Sequence, residues 1–195
     1  MAKLYFRYGA MNSGKSTALM QVAHNYKERG MQVKLLKPAI DTKGDQYLVS
    51  RLGVKMKVDY LVHKDTNIFE EFEDICQGDN ISCFLVDEAQ FLTSDQVDQL
   101  MMVASQKNIP IICYGLRTDF VTNGFEGSQR LLLIAHSLEE LKTICRCGKK
   151  AVLNGRKVNG EFVFEGDQVA IDNQAEIDYE SLCVDCYFKH KEKSL

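Results

Sequence analysis

Short apolar runs alternate along most of the chain with segments whose apolar residues recur at helical spacing. The runs predict strands at Lys3–Tyr8, Gln32–Lys37, Val58–Val62, Ile81–Val86, Ile109–Tyr114 and Glu140–Ile144. The spacing predicts helices at Ser16–Arg29, Asn67–Cys76, Asp95–Ser105 and Gly127–His136. Between the second and third strands, Pro38–Gly53 is polar and turn-rich, which predicts a loop. Apolar strands that alternate with helices predict an α/β fold with a parallel sheet covered on both faces.

The pattern changes after Cys145. Ala151–Asn154 and Glu161–Phe164 flank a glycine-bearing turn and predict a hairpin, whereas Glu165–Asp178 is polar and has few structural signals. Cys183–Lys193 predicts a short basic helix. We therefore expect an α/β domain over residues 1–144 and a small second domain over residues 145–195.

Composition and charge narrow the class of protein. The 195 residues include 45% hydrophobic residues, with 24 basic and 27 acidic side chains and a formal net charge of −3. These values exclude a disordered chain and disfavour a protein that coats nucleic acid. No apolar run approaches the ~18 residues that a membrane span requires, and Met1–Tyr8 lacks the pattern of a signal peptide. We expect a cytoplasmic protein with neither a membrane nor a nucleic acid as partner.

A glycine-rich loop between the first strand and the first helix carries the clearest chemistry. Its sequence matches G-x-x-x-x-G-K-[ST] through Gly9, Ala10, Met11, Asn12, Ser13, Gly14, Lys15 and Ser16. Glycines allow the backbone N–H groups to surround phosphate oxygens, and the following helix directs its positive end at the same anion. Lys15 would then bind the β- and γ-phosphates and Ser16 would hold Mg²⁺. The alternative is a chance match in a glycine-bearing turn.

Two carboxylates follow the strand Ile81–Val86. In a parallel sheet, this end of the strand faces the ligand crevice. Asp87 suits the carboxylate on the Mg²⁺ side of such a site. Glu88 could accept the proton of an attacking hydroxyl, or it could orient a water molecule in a hydrolase. Asp87 could also be a simple turn residue.

Four of the seven cysteines form two close pairs, Cys145 with Cys147 and Cys183 with Cys186. This spacing suits a tetrahedral Zn²⁺ site, and four thiolates leave no open position for substrate. The interpretation is a structural zinc, with free thiols or a redox pair as alternatives. Cys76, Cys83 and Cys113 lie singly in apolar surroundings and are expected to pack in the core.

Together these features resemble the type II thymidine kinases of bacteria over nearly the whole chain. The resemblance rests on Tyr5-Phe6 before Gly9–Thr17, Asp87-Glu88-Ala89-Gln90-Phe91, Gly115-Leu116-Arg117-Thr118-Asp119-Phe120, Thr143-Ile144-Cys145-Arg146-Cys147-Gly148, and Tyr179 ahead of Cys183. It implies transfer of the γ-phosphoryl group of ATP to the 5′-hydroxyl of thymidine or deoxyuridine. It also implies a homotetramer and feedback inhibition by dTTP.

The resemblance also implies roles for individual residues. Glu88 would be the catalytic base, and Asp87, Glu88, Ala89 and Gln90 would join Gly9–Ser16 in binding ATP and Mg²⁺. The nucleoside pocket would be formed by Met11, Phe91, Leu116, Phe120, Phe125 and Tyr179. A lasso loop at about Glu165–Tyr179 would close over the base.

Some positions depart from the family pattern or have simpler interpretations. Asp41-Thr42-Lys43 has lysine where many relatives have arginine, and the lasso, which includes Ile171–Asp178, is longer than in many relatives. Phe91, Phe120 and Phe125 could each be ordinary core residues, and Arg51 and Arg117 could be surface charges. Two other functions compete: an ATPase that remodels nucleic acid through a zinc ribbon, and a GTP switch, although the chain lacks an Asn-Lys-x-Asp run.

Overall fold

The computed structural model describes residues 1–40, 46–50, 53–168 and 176–194. Its strands are β1 (Leu4–Tyr8), β2 (Gln32–Pro38), β3 (Tyr47–Val49), β4 (Lys55–Lys57), β5 (Tyr60–Val62), β6 (Ile81–Val86), β7 (Ile111–Gly115), β8 (Ser137–Glu140), β9 (Thr143–Ile144), β10 (Lys150–Ala151), β11 (Leu153–Val158), β12 (Glu161–Val163) and β13 (Ile177–Leu182). Its α-helices are α1 (Lys15–Glu28), α2 (Phe72–Cys76), α3 (Ser94–Met102), α4 (Glu126–Ile134) and α5 (Val184–Lys193), with a 3₁₀ turn at Ala89–Phe91 and a π-helical turn at Val103–Lys107.

Six strands form the main sheet in the order β5-β2-β6-β7-β1-β8, and all of their pairings are parallel. Helices cover both faces. Leu35 and Leu36 are neighbours in β2 but pack in different apolar clusters, because successive strand side chains point to opposite faces. One cluster includes residues of α2, α3 and α4, and the other includes residues of α1. The predicted α/β fold with a doubly covered parallel sheet is confirmed.

Several predicted elements have different bounds in the structure. The predicted loop Pro38–Gly53 was wrong at Tyr47–Val49, which forms β3 and pairs with β4. Leu48 is 3% exposed and contributes to the core, a role that a three-residue strand between polar neighbours does not reveal. Only Phe72–Cys76 of the helix predicted from residue 67 is α-helical. Lys43 and Arg51 lie outside the described residues.

The last strand of the main sheet was also misplaced. We predicted it at Glu140–Ile144, but β8 spans Ser137–Glu140 and pairs with β1. Because β8 lies at the sheet edge and is mostly exposed, it lacks the apolar run that marks a buried strand. Thr143–Ile144 instead forms β9, which pairs with β10.

After residue 144 the chain forms a small sheet in the order β12-β11-β13. The predicted hairpin is present as β11 and β12, with shifted bounds. Strand β13 was missed, and it includes the last three residues of the predicted lasso Glu165–Tyr179. Residues 169–175 of that lasso lie outside the described residues. The division into domains at residue 144 stays a prediction, although the chain after it has an apolar cluster of its own.

Candidate active site

The glycine-rich loop Gly9–Ser16 connects β1 to α1, which is the strand–loop–helix context that its motif requires. Gly14 has φ 77°, a left-handed conformation that glycine adopts without a steric penalty. Lys15 Nζ donates hydrogen bonds to the carbonyls of Ala10 (2.9 Å) and Gly9 (3.3 Å) and to Ser13 Oγ (3.3 Å). The ammonium group therefore lies against the glycine-rich loop that precedes its own helix.

The first turn of α1 has neither an acidic residue nor a side-chain cap. Helix N-termini expose backbone N–H groups and carry partial positive charge, so they bind anions. Together with Lys15, this end of α1 could hold phosphate groups.

Asp87 follows β6 at the carboxyl edge of the sheet and is 3% exposed. Burial and the adjacent Glu88 carboxylate raise the pKa of Asp87 above its usual value, although Lys37 and Lys15 act in the opposite direction. Its Oδ2 atom is buried and has no hydrogen-bond partner among the described residues. A buried carboxylate oxygen without a partner fits a cation, so Asp87 and Ser16 could hold Mg²⁺ with a nucleotide.

Glu88 stands at the turn between β6 and the 3₁₀ turn Ala89–Phe91. Its φ of 50° is unusual for a residue other than glycine, and such strain is found mainly at functional sites. Gln90 Nε2 donates a hydrogen bond to Glu88 Oε2. Ala89 and Gln90, which were predicted to bind ATP and Mg²⁺, are 0% and 2% exposed.

Aromatic residues predicted to form the nucleoside pocket meet in two groups. Phe91 and Phe125 pack edge to face, with ring centroids 5.4 Å apart. Phe120 lies 3.7 Å from the guanidinium carbon of Arg156, measured to the ring centroid, and Arg156 Nε donates to the Tyr179 hydroxyl over 3.0 Å. Arg156 therefore joins Phe120 to Tyr179 across the two regions of the chain.

Leu116 and Met11 complete the predicted pocket. Leu116 follows β7 and is 5% exposed. Met11 lies in the glycine-rich loop, and its backbone N–H donates to Asn154 Oδ1 over 2.7 Å. Asn154 Nδ2 donates in turn to the Thr118 carbonyl over 3.0 Å. The side chain of Asn154, on β11, thus joins the predicted phosphate side of the site to the loop that follows Leu116.

Sequence reasoning missed Arg156 and Asn154. Both are buried, at 4% and 3% exposed. Their only sequence signal is a polar side chain in a short predicted hairpin, where such residues usually face solvent. The sequence does not show that these side chains contact residues far away in the chain, namely Met11 and Thr118 for Asn154, and Phe120 and Tyr179 for Arg156.

The four cysteines lie together as predicted from their spacing. Their sulfur atoms are all within 4.8 Å of one another, and the sulfurs of Cys147 and Cys183 are 3.5 Å apart. A tetrahedral site with Zn–S bonds of about 2.3 Å needs sulfurs about 3.8 Å apart, so the cluster fits zinc. Burial of Cys145 opposes its ionisation, but hydrogen bonds from the backbone of Cys147 and Cys183 and from the neighbouring thiols lower its pKa below the usual value of a thiol, whereas contacts with the other three thiols raise the pKa of Cys186. The cluster could therefore bind a metal such as zinc.

The remaining single cysteines are core residues, as expected. Cys76, Cys83 and Cys113 are all buried.

No helix among residues 1–40, 46–50, 53–168 and 176–194 is long and apolar enough to cross a bilayer.

Comparison with known proteins agrees with the resemblance seen in the sequence. A family described as "Thymidine kinase" matches residues 2–187. The chain is 48% identical over 185 residues to the thymidine kinase of Enterobacteria phage T4, with 94% of each chain covered. It is 51% identical over 177 residues to that of Legionella pneumophila strain Paris (88% of this chain, 83% of the relative) and 47% identical over 196 residues to that of Mannheimia succiniciproducens (98% and 97%). This chain is therefore a kinase that belongs to the thymidine kinase family.

Proposed function

We propose that this enzyme transfers the γ-phosphoryl group of ATP to the 5′-hydroxyl of thymidine, giving dTMP and ADP, and that it also accepts deoxyuridine. The observation that carries the proposal is the position of Glu88. On one side it adjoins Asp87, whose charge interacts with Lys15 of the glycine-rich loop. On the other side it is linked through Gln90 to the backbone of Leu116. A proton acceptor between a phosphate loop and an apolar pocket suits phosphoryl transfer to a nucleoside hydroxyl.

Each side chain then has a role in the transfer. Lys15 and the N-terminus of α1 bind and orient the phosphates, and Glu88 takes the proton of the 5′-hydroxyl as it attacks the γ-phosphorus. Ser16 and Asp87 would hold Mg²⁺, which would supply positive charge to the phosphates of ATP. Met11, Phe91, Leu116, Phe120, Phe125 and Tyr179 form the nucleoside pocket, and Arg156 fixes two of its aromatic rings.

The same pocket explains the proposed choice of base. A slot lined by apolar and aromatic groups stacks a pyrimidine and has room for a methyl group. One methyl group is worth only ~1–3 kcal/mol, so deoxyuridine remains a usable substrate. A cytosine base presents a donor where thymine presents an acceptor, which leaves buried groups mismatched at ~1–3 kcal/mol each.

Inhibition by dTTP belongs to the same proposal. Its base would enter the nucleoside pocket while its phosphates extend toward Gly9–Ser16, so that one molecule fills the acceptor site and part of the donor site. We also propose that the active enzyme is a homotetramer, as the family resemblance implies. The ATP substrate and cysteines that form no disulfide among the described residues suit a cytoplasmic location.

The decisive experiment measures ADP formation from ATP with each nucleoside in turn. We expect turnover only with thymidine and deoxyuridine. ADP formation that instead responds to DNA or RNA with a steep salt dependence would indicate a nucleic-acid remodeller. Comparable turnover of deoxycytidine or deoxyadenosine would contradict the proposed specificity.

A second series adds each of the four deoxynucleoside triphosphates at fixed ATP. We expect dTTP to compete with thymidine and to inhibit at much lower concentration than the other three. Equal inhibition by all four would show that the base pocket plays no part.

A further inference from the structure

Gln90 has both ends of its side-chain amide engaged inside the site. Its Nε2 donates to Glu88 Oε2, and its Oε1 accepts a hydrogen bond from the Leu116 backbone N–H over 3.1 Å. Because a backbone N–H can only donate, the amide oxygen must face Leu116 and the NH₂ group must face the carboxylate. The hydrogen bonds therefore fix the orientation of this amide.

The surroundings of Gln90 leave its side chain little freedom. The residue is 2% exposed. A Cβ atom at Gly115 would lie 2.7 Å from Gln90 Oε1, so the absence of a side chain at residue 115 makes room for the amide. Leu116 is held from its other side as well, since Ser128 Oγ donates to its carbonyl. The amide is thus supported by backbone that is itself fixed.

We propose that Gln90 is a positioning residue for phosphoryl transfer: it holds the Glu88 carboxylate in the orientation that accepts the 5′-hydroxyl proton, in register with Leu116 of the nucleoside pocket. The inference rests on the proposed function and deepens it. Glu88 projects from a backbone with φ 50° at the end of a strand, where no regular structure orients its side chain. The hydrogen bond from Gln90 supplies that orientation, and a carboxylate displaced by about 1 Å could lose on the order of 10²-fold in rate.

The test is Gln90→Met, which keeps an unbranched side chain of similar length and removes both hydrogen bonds. We expect kcat to fall about 10- to 100-fold while KM for ATP and for thymidine changes little. Gln90→Glu is the second variant: it keeps an acceptor for the Leu116 N–H but replaces the donor to Glu88 with a carboxyl group, which either repels the Glu88 carboxylate or shares a proton with it. It should also lower kcat while its nucleotide binding persists.

Gln96 offers a matched control. It too is a buried glutamine, 3% exposed, whose Nε2 donates to the His63 carbonyl over 2.8 Å and whose Oε1 accepts from the Thr93 N–H over 3.1 Å. These bonds lie at the N-terminus of α3, outside the site. Gln96→Met should therefore destabilise the fold without lowering the kcat of the folded fraction. A kcat loss equal to that of Gln90→Met would show a general effect of removing a buried amide, and would overturn the proposal.

A double-mutant cycle that combines Gln90→Met with Glu88→Gln measures the energetic coupling between these two residues. If Gln90 acts through the Glu88 carboxylate, Gln90→Met should have almost no further effect once that carboxylate is absent. An equal loss in both backgrounds, or a loss expressed as weaker ADP binding, would contradict the positioning role. If Glu88→Gln alone leaves kcat unchanged, Glu88 is not the base and the proposed function fails. Additive losses in the double mutant would instead contradict only the positioning role of Gln90.

Discussion

We expect the four-cysteine cluster to bind zinc, and replacing Cys183 with serine should remove that metal without removing the cap of α5. Cys183 Sγ accepts a hydrogen bond from the Cys186 backbone N–H over 3.4 Å at the start of that helix. Serine is a favoured residue at this position and can accept the same bond. Any large effect of Cys183→Ser therefore reports the loss of a metal ligand rather than the loss of a helix cap.

The expected magnitude follows from the length of chain that the cluster closes. Cys147 and Cys183 are separated by 36 positions. A cross-link that closes a loop of this length stabilises the folded state by about 4 kcal/mol through the entropy of the unfolded chain. Among the residues that the structure describes, the apolar cluster that remains has three buried members other than cysteine, namely Ala151, Leu182 and Tyr187. We expect the unfolding free energy of this region to fall by about that amount.

The assay combines elemental analysis with hydrogen exchange. The parent chain should hold one zinc, and Cys183→Ser should hold much less and exchange faster across residues 145–187. Cys113→Ser is the control, because Cys113 is fully buried in β7 and a hydroxyl there costs ~1–3 kcal/mol without touching the cluster. It should keep its zinc. A parent protein that is fully active without metal, or a Cys183→Ser variant that retains zinc and protection, would refute the reasoning.

Three other substitutions test the site. Lys15→Ala should lower kcat at least ~10²-fold in steady-state kinetics, because it removes a positive charge that is preorganised next to the transferring phosphoryl group. Near-normal turnover would contradict the assignment of Gly9–Ser16 as a phosphate-binding loop. Asn154→Leu leaves the Met11 N–H and the Thr118 carbonyl without their partner, so the free energy of unfolding, measured by denaturation, should fall by ~1–3 kcal/mol for each group. An unchanged stability would show that water replaces both hydrogen bonds. Tyr187→Phe should cost about 1 kcal/mol, because the Tyr187 hydroxyl donates to the Phe120 carbonyl over 2.8 Å, and it should keep its zinc.

The glycine-rich loop and the central strands could be predicted because local pattern and global fold agree there. Strand β6 is buried on both faces, so its sequence is an apolar run that only Ser82 interrupts. The loop Gly9–Ser16 lies between a strand and a helix, and the conformation of Gly14 is one that few other residues adopt. The cysteine cluster could be predicted as well, since ligand spacing alone restricts its geometry.

The edge elements could not be predicted, because pairing rather than pattern defines them. Strand β8 consists of Ser137–Glu140 and exists because it pairs with β1. Strand β13 pairs with β11 over six residues, yet its sequence alternates too weakly to separate it from the polar segment before it. In the same way, burial of Phe120 at 1% exposure is compatible with both core and pocket, so the residue type alone could not decide between them.

The contacts that join the two regions of the chain make one more prediction. Tyr187, in the cluster that contains Cys145 and Cys183, binds the Phe120 carbonyl, and Arg156 of the same region packs on the Phe120 ring. The glycine-rich loop also receives a contact from this region, since Asn154 Oδ1 accepts from the Met11 N–H, but the Lys15 ammonium group is bonded to Gly9, Ala10 and Ser13 of its own loop. Loss of zinc should therefore disturb the proposed nucleoside pocket before it disturbs the glycine-rich loop.

In Cys183→Ser this difference should appear as a larger rise in KM for thymidine than in KM for ATP. Arg156→Met removes the hydrogen bond to Tyr179 and the cation above the Phe120 ring. It should therefore raise KM for thymidine in the same way while zinc stays bound. Both variants are compared in the same steady-state assay, with each substrate varied in turn. Equal increases in the two KM values for Cys183→Ser would mean that the cluster stabilises the enzyme as a whole and has no selective connection to the nucleoside pocket.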